Sequence, residues 1–252
     1  LLTQGFAASD IAVVELNAEG RERLAKTYGV TCLAHGNECD WQSDVIVLAV
    51  KPQVMKDALA PLAGKLSDQV VVSIAAGLSL STLSRWLGGY RKIVRCMPNT
   101  PALISAGITG LCPLPEVSAE ERKAAEQVLR SVGATFWIAD EGQMDGVTAL
   151  SGSGPAYVFL FIEAMQQAGA ELGFTAEESR RMAIETVLGA AKLAAASDEP
   201  ASVLRERVTS KGGTTAAALD VMAEKGVKAG IVAGVHAARA LGEELGRLLG
   251  AE

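Results

Sequence analysis

The segment Thr209-Ser210-Lys211-Gly212-Gly213-Thr214-Thr215 combines the residue types that bind a small anion. Its glycines allow positive φ angles and a close approach of the backbone to a ligand. Its hydroxyl groups and Lys211 add polar contacts and positive charge. The segment opens a predicted helix over residues 214–225, and the free N–H groups at a helix start attract anions. We therefore predict a binding site for a small carboxylate or a phosphate.

Three segments in the first half of the chain each follow a predicted strand. They are Ala49-Val50-Lys51-Pro52, Ser73-Ile74-Ala75-Ala76-Gly77 and Met97-Pro98-Asn99-Thr100-Pro101. In a doubly wound α/β sheet, ligands bind beyond the carboxyl ends of the strands. Each segment alone is a weak indication, because strand ends generally need turn residues. Three of them on successive strands favour a dinucleotide groove.

Glu15 ends the apolar run Ile11-Ala12-Val13-Val14. A doubly wound fold places an acid here that binds the adenosine ribose and favours NAD over NADP. A surface carboxylate that begins the next helix is an equally good interpretation, and Asn17 is an alternative partner for the ribose or a 2′-phosphate. The fingerprint G-x-G-x-x-G is absent from the sequence. It belongs just before Leu1, so we expect a fragment without its first strand and glycine loop.

The order of the elements predicts two domains. Residues 1–145 alternate strands and helices, which is typical of a doubly wound parallel sheet. Residues 146–252 predict only helices, over 153–172, 175–196, 201–208, 214–225 and 227–249. A capping box begins at Ser118 in the first domain, and a second begins at Thr175 in the helical domain. Abundant Ala and Gly let these helices pack closely. The helical domain is therefore expected to bury part of its surface in a partner subunit, with a self-contained bundle as the alternative.

Composition narrows the function classes. The net charge of −6 and the pI of about 5.2 argue against binding to nucleic acid or to an anionic membrane. No apolar run approaches the roughly 18–20 residues that span a bilayer. Four widely spaced cysteines predict reduced thiols in a cytoplasmic protein. With only His35 and His236 available, we expect no metal site.

Five segments, in their order along the chain, resemble the pyrroline-5-carboxylate reductases. They are Ala49-Val50-Lys51-Pro52, Val72-Ser73-Ile74-Ala75-Ala76-Gly77, Arg95-Cys96-Met97-Pro98-Asn99-Thr100-Pro101-Ala102, Ser151-Gly152-Ser153-Gly154-Pro155-Ala156 and Thr209-Ser210-Lys211-Gly212-Gly213-Thr214-Thr215. The resemblance covers nearly the whole chain. It implies a Rossmann-like domain followed by a helical dimerisation domain. It also implies reduction of 1-pyrroline-5-carboxylate to L-proline, the last step of proline biosynthesis, with NADPH or NADH. The family forms homodimers and often larger rings of dimers.

The resemblance also assigns roles to residues. The substrate carboxylate lies on the backbone N–H groups of Gly213, Thr214 and Thr215 with help from Ser210, and Val208 packs beside the ring. The Thr215 hydroxyl lies near the imine nitrogen. The residues near the nicotinamide are Met97, Asn99, Thr100 and Pro101, and those that line the cofactor groove are Ala49, Lys51 and Pro52. A protonated cyclic imine accepts hydride readily, so such a site needs positioning and charge stabilisation more than a strong acid or base.

Two other functions stay open at this point. One is a β-hydroxyacid dehydrogenase or a related imine reductase, which would use Lys192 as a general acid and base. An exposed helix lysine is the simpler interpretation of Lys192. The other is a non-catalytic dimerising module. The sequence does not decide between NADH and NADPH.

Overall fold

The computed structural model describes residues 1–250. Contacts divide the chain into two compact units. The first contains residues 1–152 together with the last turns of the final helix from Ala238 onward, and the second is Ser153–Ala237. The sequence predicts a boundary between the two functional domains at residues 145 and 146, and this boundary stays a prediction.

The first unit contains seven strands in two sheets. Strands β1 (Ala12–Val14) and β2 (Thr31–Leu33) form a parallel pair. The second sheet has the order β3-β4-β5-β6-β7, with β3 (Val45–Leu48), β4 (Val70–Ser73), β5 (Ile93–Met97), β6 (Gly107–Pro113) and β7 (Gly133–Trp137). Neighbouring strands are parallel except β5 and β6. The short 3₁₀ turn Thr100–Ile104 joins β5 to β6, and such a short connection suits antiparallel strands.

Five helices accompany these strands: α1 (Ala18–Tyr28), α2 (Met55–Leu59), α3 (Leu80–Trp86), α4 (Ala119–Arg130) and α5 (Met144–Val147). Helix α2 is shorter than the range 54–66 suggested by its apolar pattern. Pro61 has no N–H group to donate to the carbonyl one turn earlier, so the helical hydrogen bonds stop before it. Ser118 and Glu121 form the predicted capping box of α4.

The inner strand β4 is buried along its whole length. Val71 packs on one face of the sheet in a cluster with Met55 and Leu83. Val70 and Val72 pack on the other face in a cluster with Leu129. Helices therefore cover both faces, which explains the continuous apolar runs of the buried strands.

The second unit contains helices α6 (Gly154–Glu171), α7 (Ala176–Ala195), α8 (Ala201–Arg207), α9 (Thr214–Glu224) and the start of α10 (Val227–Gly250). These bounds lie within about two residues of the predicted ranges. Thr175 and Glu178 form the second capping box. The sequence therefore predicted this half of the fold closely.

Helices α6 and α7 make the main contact inside the second unit. A Cβ atom on Gly169 would lie 2.6 Å from Ser179 Oγ, so only glycine permits this approach. Across residues 153–237, all of which the structure describes, the fully buried residues are Gly169, Ser179 and Ala183. Large apolar side chains such as Phe159 and Leu160 stay exposed. This unit has little core of its own.

The helical run Glu141–Glu171 is long and apolar enough to cross a membrane, judged by length and composition. The expectation that no apolar run approaches this length is therefore wrong by that criterion. The run joins α5, a turn and α6, and only 11% of its most apolar window is buried. The expectation that no membrane is a partner stays a prediction.

Candidate functional site

The carboxyl ends of β3, β4 and β5 lie side by side, because the three strands are neighbours and parallel. The Ile74 N–H donates to the Leu48 carbonyl at 3.2 Å, which joins two of these ends directly. The segments that begin at Ala49, Ile74 and Pro98 therefore share one edge of the sheet. Their juxtaposition agrees with the predicted groove.

The side chains at this edge are mostly accessible. Ala49, Lys51 and Thr100 are exposed, and Pro52 and Pro101 are half-buried at the first turns of short 3₁₀ helices. The edge thus presents small, rigid and polar groups on fixed backbone. Contacts of these residues with a cofactor stay predictions.

Asn99 anchors the turn after β5. Its Nδ2 donates to the Ser151 carbonyl at 3.1 Å, and its Oδ1 accepts from the Ile108 N–H at 2.9 Å. Both ends of the amide thus have protein partners. We infer that Asn99 contributes by holding the 97–101 turn in place, which the sequence motif alone did not reveal.

One turn of π-helix, Thr148–Gly152, precedes α6. The Ser151 hydroxyl donates to the Val147 carbonyl at 2.9 Å. A Cβ atom on Gly152 would lie 2.8 Å from Met97 Cε, so a larger residue here would displace the end of the Met97 side chain. Single π turns are frequent at functional sites. The sequence predicted a helix start here but not the wider turn.

A buried ion-pair network lies next to the same edge. The Arg95 side chain is 7% exposed and contacts Glu141 Oε1 at 2.9 Å and Asp145 Oδ1 at 3.7 Å. Glu141 Oε1 also accepts from the Leu80 N–H at 2.7 Å. The network therefore ties β5 to the start of α3 and to α5. An arginine within an apolar strand was the one signal of it in the sequence.

The β5 and β6 thiols do not suit nucleophilic chemistry. Burial raises the pKa of the Cys96 and Cys112 thiols above the ordinary value. The thiolate is the reactive form. These cysteines are therefore inert groups of the core, and all four cysteines are free thiols.

Glu15 and Asn17 lie at the junction of β1 and α1. The Asn17 N–H donates to Glu15 Oε1 at 2.9 Å. Asn17 Oδ1 accepts from the N–H groups of Glu19 at 3.0 Å and Gly20 at 3.4 Å, so Asn17 caps α1. The structure brings both residues to a strand end, as expected for an adenosine-binding edge.

In the second unit, the segment 209–215 forms a tight turn that leads into α9. The Gly213 N–H donates to the Ser210 carbonyl at 3.0 Å, and Gly212 has φ +71°, which favours glycine. Gly213 is the N-cap, and no side chain caps the helix. By contrast, side chains cap α1, α3, α4 and α7. The first turn of α9 therefore has N–H groups available to an anion.

The other residues predicted near this anion site are accessible to solvent. Val208, Ser210, Lys211 and Thr214 are exposed, and Thr215 is half-buried at the second position of α9. Within residues 1–250, the Thr215 hydroxyl has no hydrogen-bond partner. It is thus free to bind a ligand.

The structure offers little support for acid–base catalysis by Lys192 or for a metal site. Lys192 is exposed near the end of α7 and forms no ion pair with the described residues. Across residues 1–250, no group of three or more His, Cys, Asp or Glu side chains is placed to hold a metal ion.

Comparison with known proteins covers both halves of the chain. Residues 141–245 match the family described as pyrroline-5-carboxylate reductase dimerisation. Residues 1–77 match the family described as NADP oxidoreductase, coenzyme F420-dependent.

Individual relatives extend over nearly the whole length. A pyrroline-5-carboxylate reductase from Pseudomonas aeruginosa is 43% identical over 99% of this chain and 92% of its own. The structure of one from Coxiella burnetii has a TM-score of 0.92 with 36% identity, covering 97% of this chain and 92% of that one. A Plasmodium falciparum pyrroline carboxylate reductase with NADP bound has a TM-score of 0.79 with 33% identity, covering 86% and 82%.

These similarities run through both the sheet with its shared strand ends and the helices around the 209–215 turn. The resemblance inferred from the motifs is confirmed, and the chain belongs to the pyrroline-5-carboxylate reductase family.

Proposed function

We propose that this protein reduces 1-pyrroline-5-carboxylate to L-proline with NADPH or NADH, the last step of proline biosynthesis. The similarity to the Pseudomonas aeruginosa reductase over 99% of the chain is the observation that carries the proposal. The accessible start of α9 supports the proposal, because the substrate bears one carboxylate and needs one anion-binding site. In dinucleotide-binding enzymes the cofactor phosphates bind to the doubly wound domain. A phosphate is therefore a less suitable ligand than a carboxylate for the anion site at the start of α9.

The substrate carboxylate binds the backbone N–H groups of Gly213, Thr214 and Thr215. Lys211 and the Ser210 hydroxyl add charge and a further hydrogen bond. Val208 packs beside the ring. These contacts fix the orientation of the imine, and orientation supplies much of the rate in a reaction of this kind.

The Thr215 hydroxyl hydrogen-bonds the imine nitrogen, or relays to it a proton taken from solvent water. The protonated imine carbon is already electrophilic, so no strong acid is required. This accounts for a site without a histidine–carboxylate pair.

The dinucleotide groove fits the residues present. Bound NADPH or NADH supplies the hydride. Glu15 and Asn17 stand where an adenosine ribose binds, and Ala49, Lys51 and Pro52 line the groove. Met97, Asn99, Thr100 and Pro101 hold the nicotinamide end. The pyrophosphate is not assigned to a glycine loop, because this sequence contains no G-x-G-x-x-G.

The protein acts as a homodimer through its helical domain, in keeping with the dimerisation family that residues 141–245 match. A larger ring of dimers and a cytoplasmic location extend this proposal. Free cysteines support a reducing compartment.

The test is a steady-state assay of purified protein with 1-pyrroline-5-carboxylate and each cofactor, beside 3-hydroxyisobutyrate as the rival substrate. We expect turnover of the imine alone, unaffected by Lys192→Ala. Strong hydroxyacid activity that disappears in Lys192→Ala would instead establish the dehydrogenase. Absence of binding to either dinucleotide, by this chain and also by one extended upstream, would leave only the non-catalytic dimerising module.

A further inference from the structure

The turn after β4 lies at the same sheet edge as the segments that follow β3 and β5. It spans residues 74–77 and leads into α3, whose N-cap is Ser79. Within this turn Ala75 is buried, whereas Ala76 is exposed. In a doubly wound sheet, a ligand bound beyond the strand ends lies against such a turn. The position of the 74–77 turn therefore shapes the proposed cofactor groove.

The last turns of α10 pack against this turn within the first unit. Gly77 has φ +78°, a conformation that favours glycine. A Cβ atom on Gly246 would lie 3.3 Å from the Gly77 carbonyl oxygen and 3.8 Å from its Cα atom. Two backbones thus meet with no side chain between them. A methyl group on Gly246 would push the 74–77 turn away by a few tenths of an ångström.

Two further contacts hold the end of α10 in place. Arg85 Nη2, in the last turn of α3, donates to the Gly250 carbonyl at 2.9 Å. A cation at a helix C-terminus satisfies an otherwise unpaired carbonyl and interacts favourably with the helix dipole. Leu249 packs against the core cluster that contains Met55 and Leu83. A charged hydrogen bond and apolar packing therefore fix the helix end that meets the 74–77 turn.

The preceding glycine on the same helix face is less constrained. A Cβ atom on Gly242 would lie 3.8 Å from Asp145 Cβ, which is an ordinary van der Waals distance. Gly242 and Gly246 are one helical turn apart, so they share a face. The close approach at Gly246 is therefore a property of that position and of the turn it meets, not of the helix face in general.

We infer that the end of α10 supports the cofactor groove, and that Gly246 is a positioning residue because its missing side chain sets where the 74–77 turn lies. The inference rests on the proposed function and adds to it a distant part of the chain. Binding sites depend on supporting groups held within about 0.5 Å of the productive geometry. A displacement of a few tenths of an ångström is thus enough to weaken cofactor binding.

The test compares dissociation constants for NADPH and NADH, measured by isothermal titration calorimetry, with stability in urea. Gly246→Ala is expected to raise the dissociation constant of the cofactor that wild type binds more tightly, at least fivefold. Its urea midpoint should stay the same or rise, because alanine is the better helix former. A merely structural role would instead lower the urea midpoint and leave the dissociation constant unchanged.

Gly242→Ala is the matched control, since it adds the same methyl group one turn earlier in the same helix. It should change the dissociation constant less than twofold. Equal cofactor affinity of Gly246→Ala and wild type, or an equal loss in the two variants, would overturn the inference while leaving a reductase. Failure of wild type to bind either dinucleotide, in this chain and in one extended upstream, would overturn the proposed function itself.

Gly246→Val extends the series, because its larger side chain pushes the 74–77 turn further. The loss of cofactor affinity should exceed that of Gly246→Ala at least threefold. A smaller loss for valine than for alanine would contradict support by close backbone contact.

Discussion

Thr215 carries the only chemical role that the proposal gives to a side chain near the imine. Its hydroxyl is half-buried and without a partner among the described residues, which leaves it available for the substrate. Thr215→Ala should lower kcat by about one to two orders of magnitude, since a hydrogen bond to a reacting group contributes roughly 1–3 kcal/mol.

Steady-state kinetics with 1-pyrroline-5-carboxylate measure this change. Thr215→Ser should retain most activity, because it keeps the hydroxyl. Thr214→Ala removes an exposed neighbouring hydroxyl and should have a smaller effect on kcat. Unchanged kinetics in Thr215→Ala would exclude this residue from the mechanism.

Asn99 holds the turn after β5 in place through both the nitrogen and the oxygen of its side-chain amide. Asn99→Asp keeps the acceptor for the Ile108 N–H but replaces the donor with a carboxylate oxygen that faces the Ser151 carbonyl. The free energy of unfolding should fall by about 1–3 kcal/mol, as for an unmatched polar group. The KM for the cofactor should also rise.

Urea denaturation gives the free energy of unfolding for this variant. Asn37→Asp, at an exposed position, introduces the same charge and should leave stability nearly unchanged. Equal stability of Asn99→Asp and wild type would show that the anchor is unimportant.

At the scale of elements, Glu126 joins α4 to β7. Its carboxylate accepts from Trp137 Nε1 at 3.1 Å and Thr135 Oγ1 at 2.8 Å. These hydrogen bonds, with Arg130 nearby, hold the pKa of Glu126 below its ordinary value. The ionised carboxylate thus stabilises the fold above the pKa of the unfolded chain, and that stability is lost as the pH falls through the lower folded pKa.

Between about pH 5 and pH 3, the free energy of unfolding should therefore fall more steeply in wild type than in Glu126→Gln. Urea titrations across this range, followed by tryptophan fluorescence, measure the two slopes. Glu120→Gln, at an exposed position of the same helix, should keep the wild-type slope. Parallel curves for wild type and Glu126→Gln would refute the linkage.

At the scale of the whole molecule, the helical unit requires a cover for its apolar surface. Leu160 on α6 is 67% exposed in the single chain, beside Phe159 and Phe161. Dimerisation through this family's helical domain covers such a surface. Burying a leucine side chain contributes roughly 1.5–3 kcal/mol.

Leu160→Asp should therefore weaken the dimer at least tenfold, seen as a lower mass by size-exclusion chromatography with light scattering at low concentration. Leu103→Asp is the matched control, because Leu103 is 91% exposed and lies in the other unit. A dimer of wild-type affinity in Leu160→Asp would place the contact elsewhere.

Much of the fold followed from local patterns. Helices α4 and α7 have their N-caps at Ser118 and Thr175 as predicted, because a capping box satisfies the helix N–H groups with residues three positions apart. Strand β4 was predicted from its run of valines. Strands β6 and β7 were not predicted, since their glycines and mixed burial give weak local signals.

The sequence by itself determined the helices of the second unit, the strands β3 to β5 and the motifs that identify the family, since hydrogen bonds and periodicity within a few residues encode them. Only the tertiary structure decided that Asn99 binds the turn around Ser151 and that Arg95 pairs with Glu141. Both contacts join residues far apart in the chain. Such partners become neighbours only when burial and the sheet register bring them together.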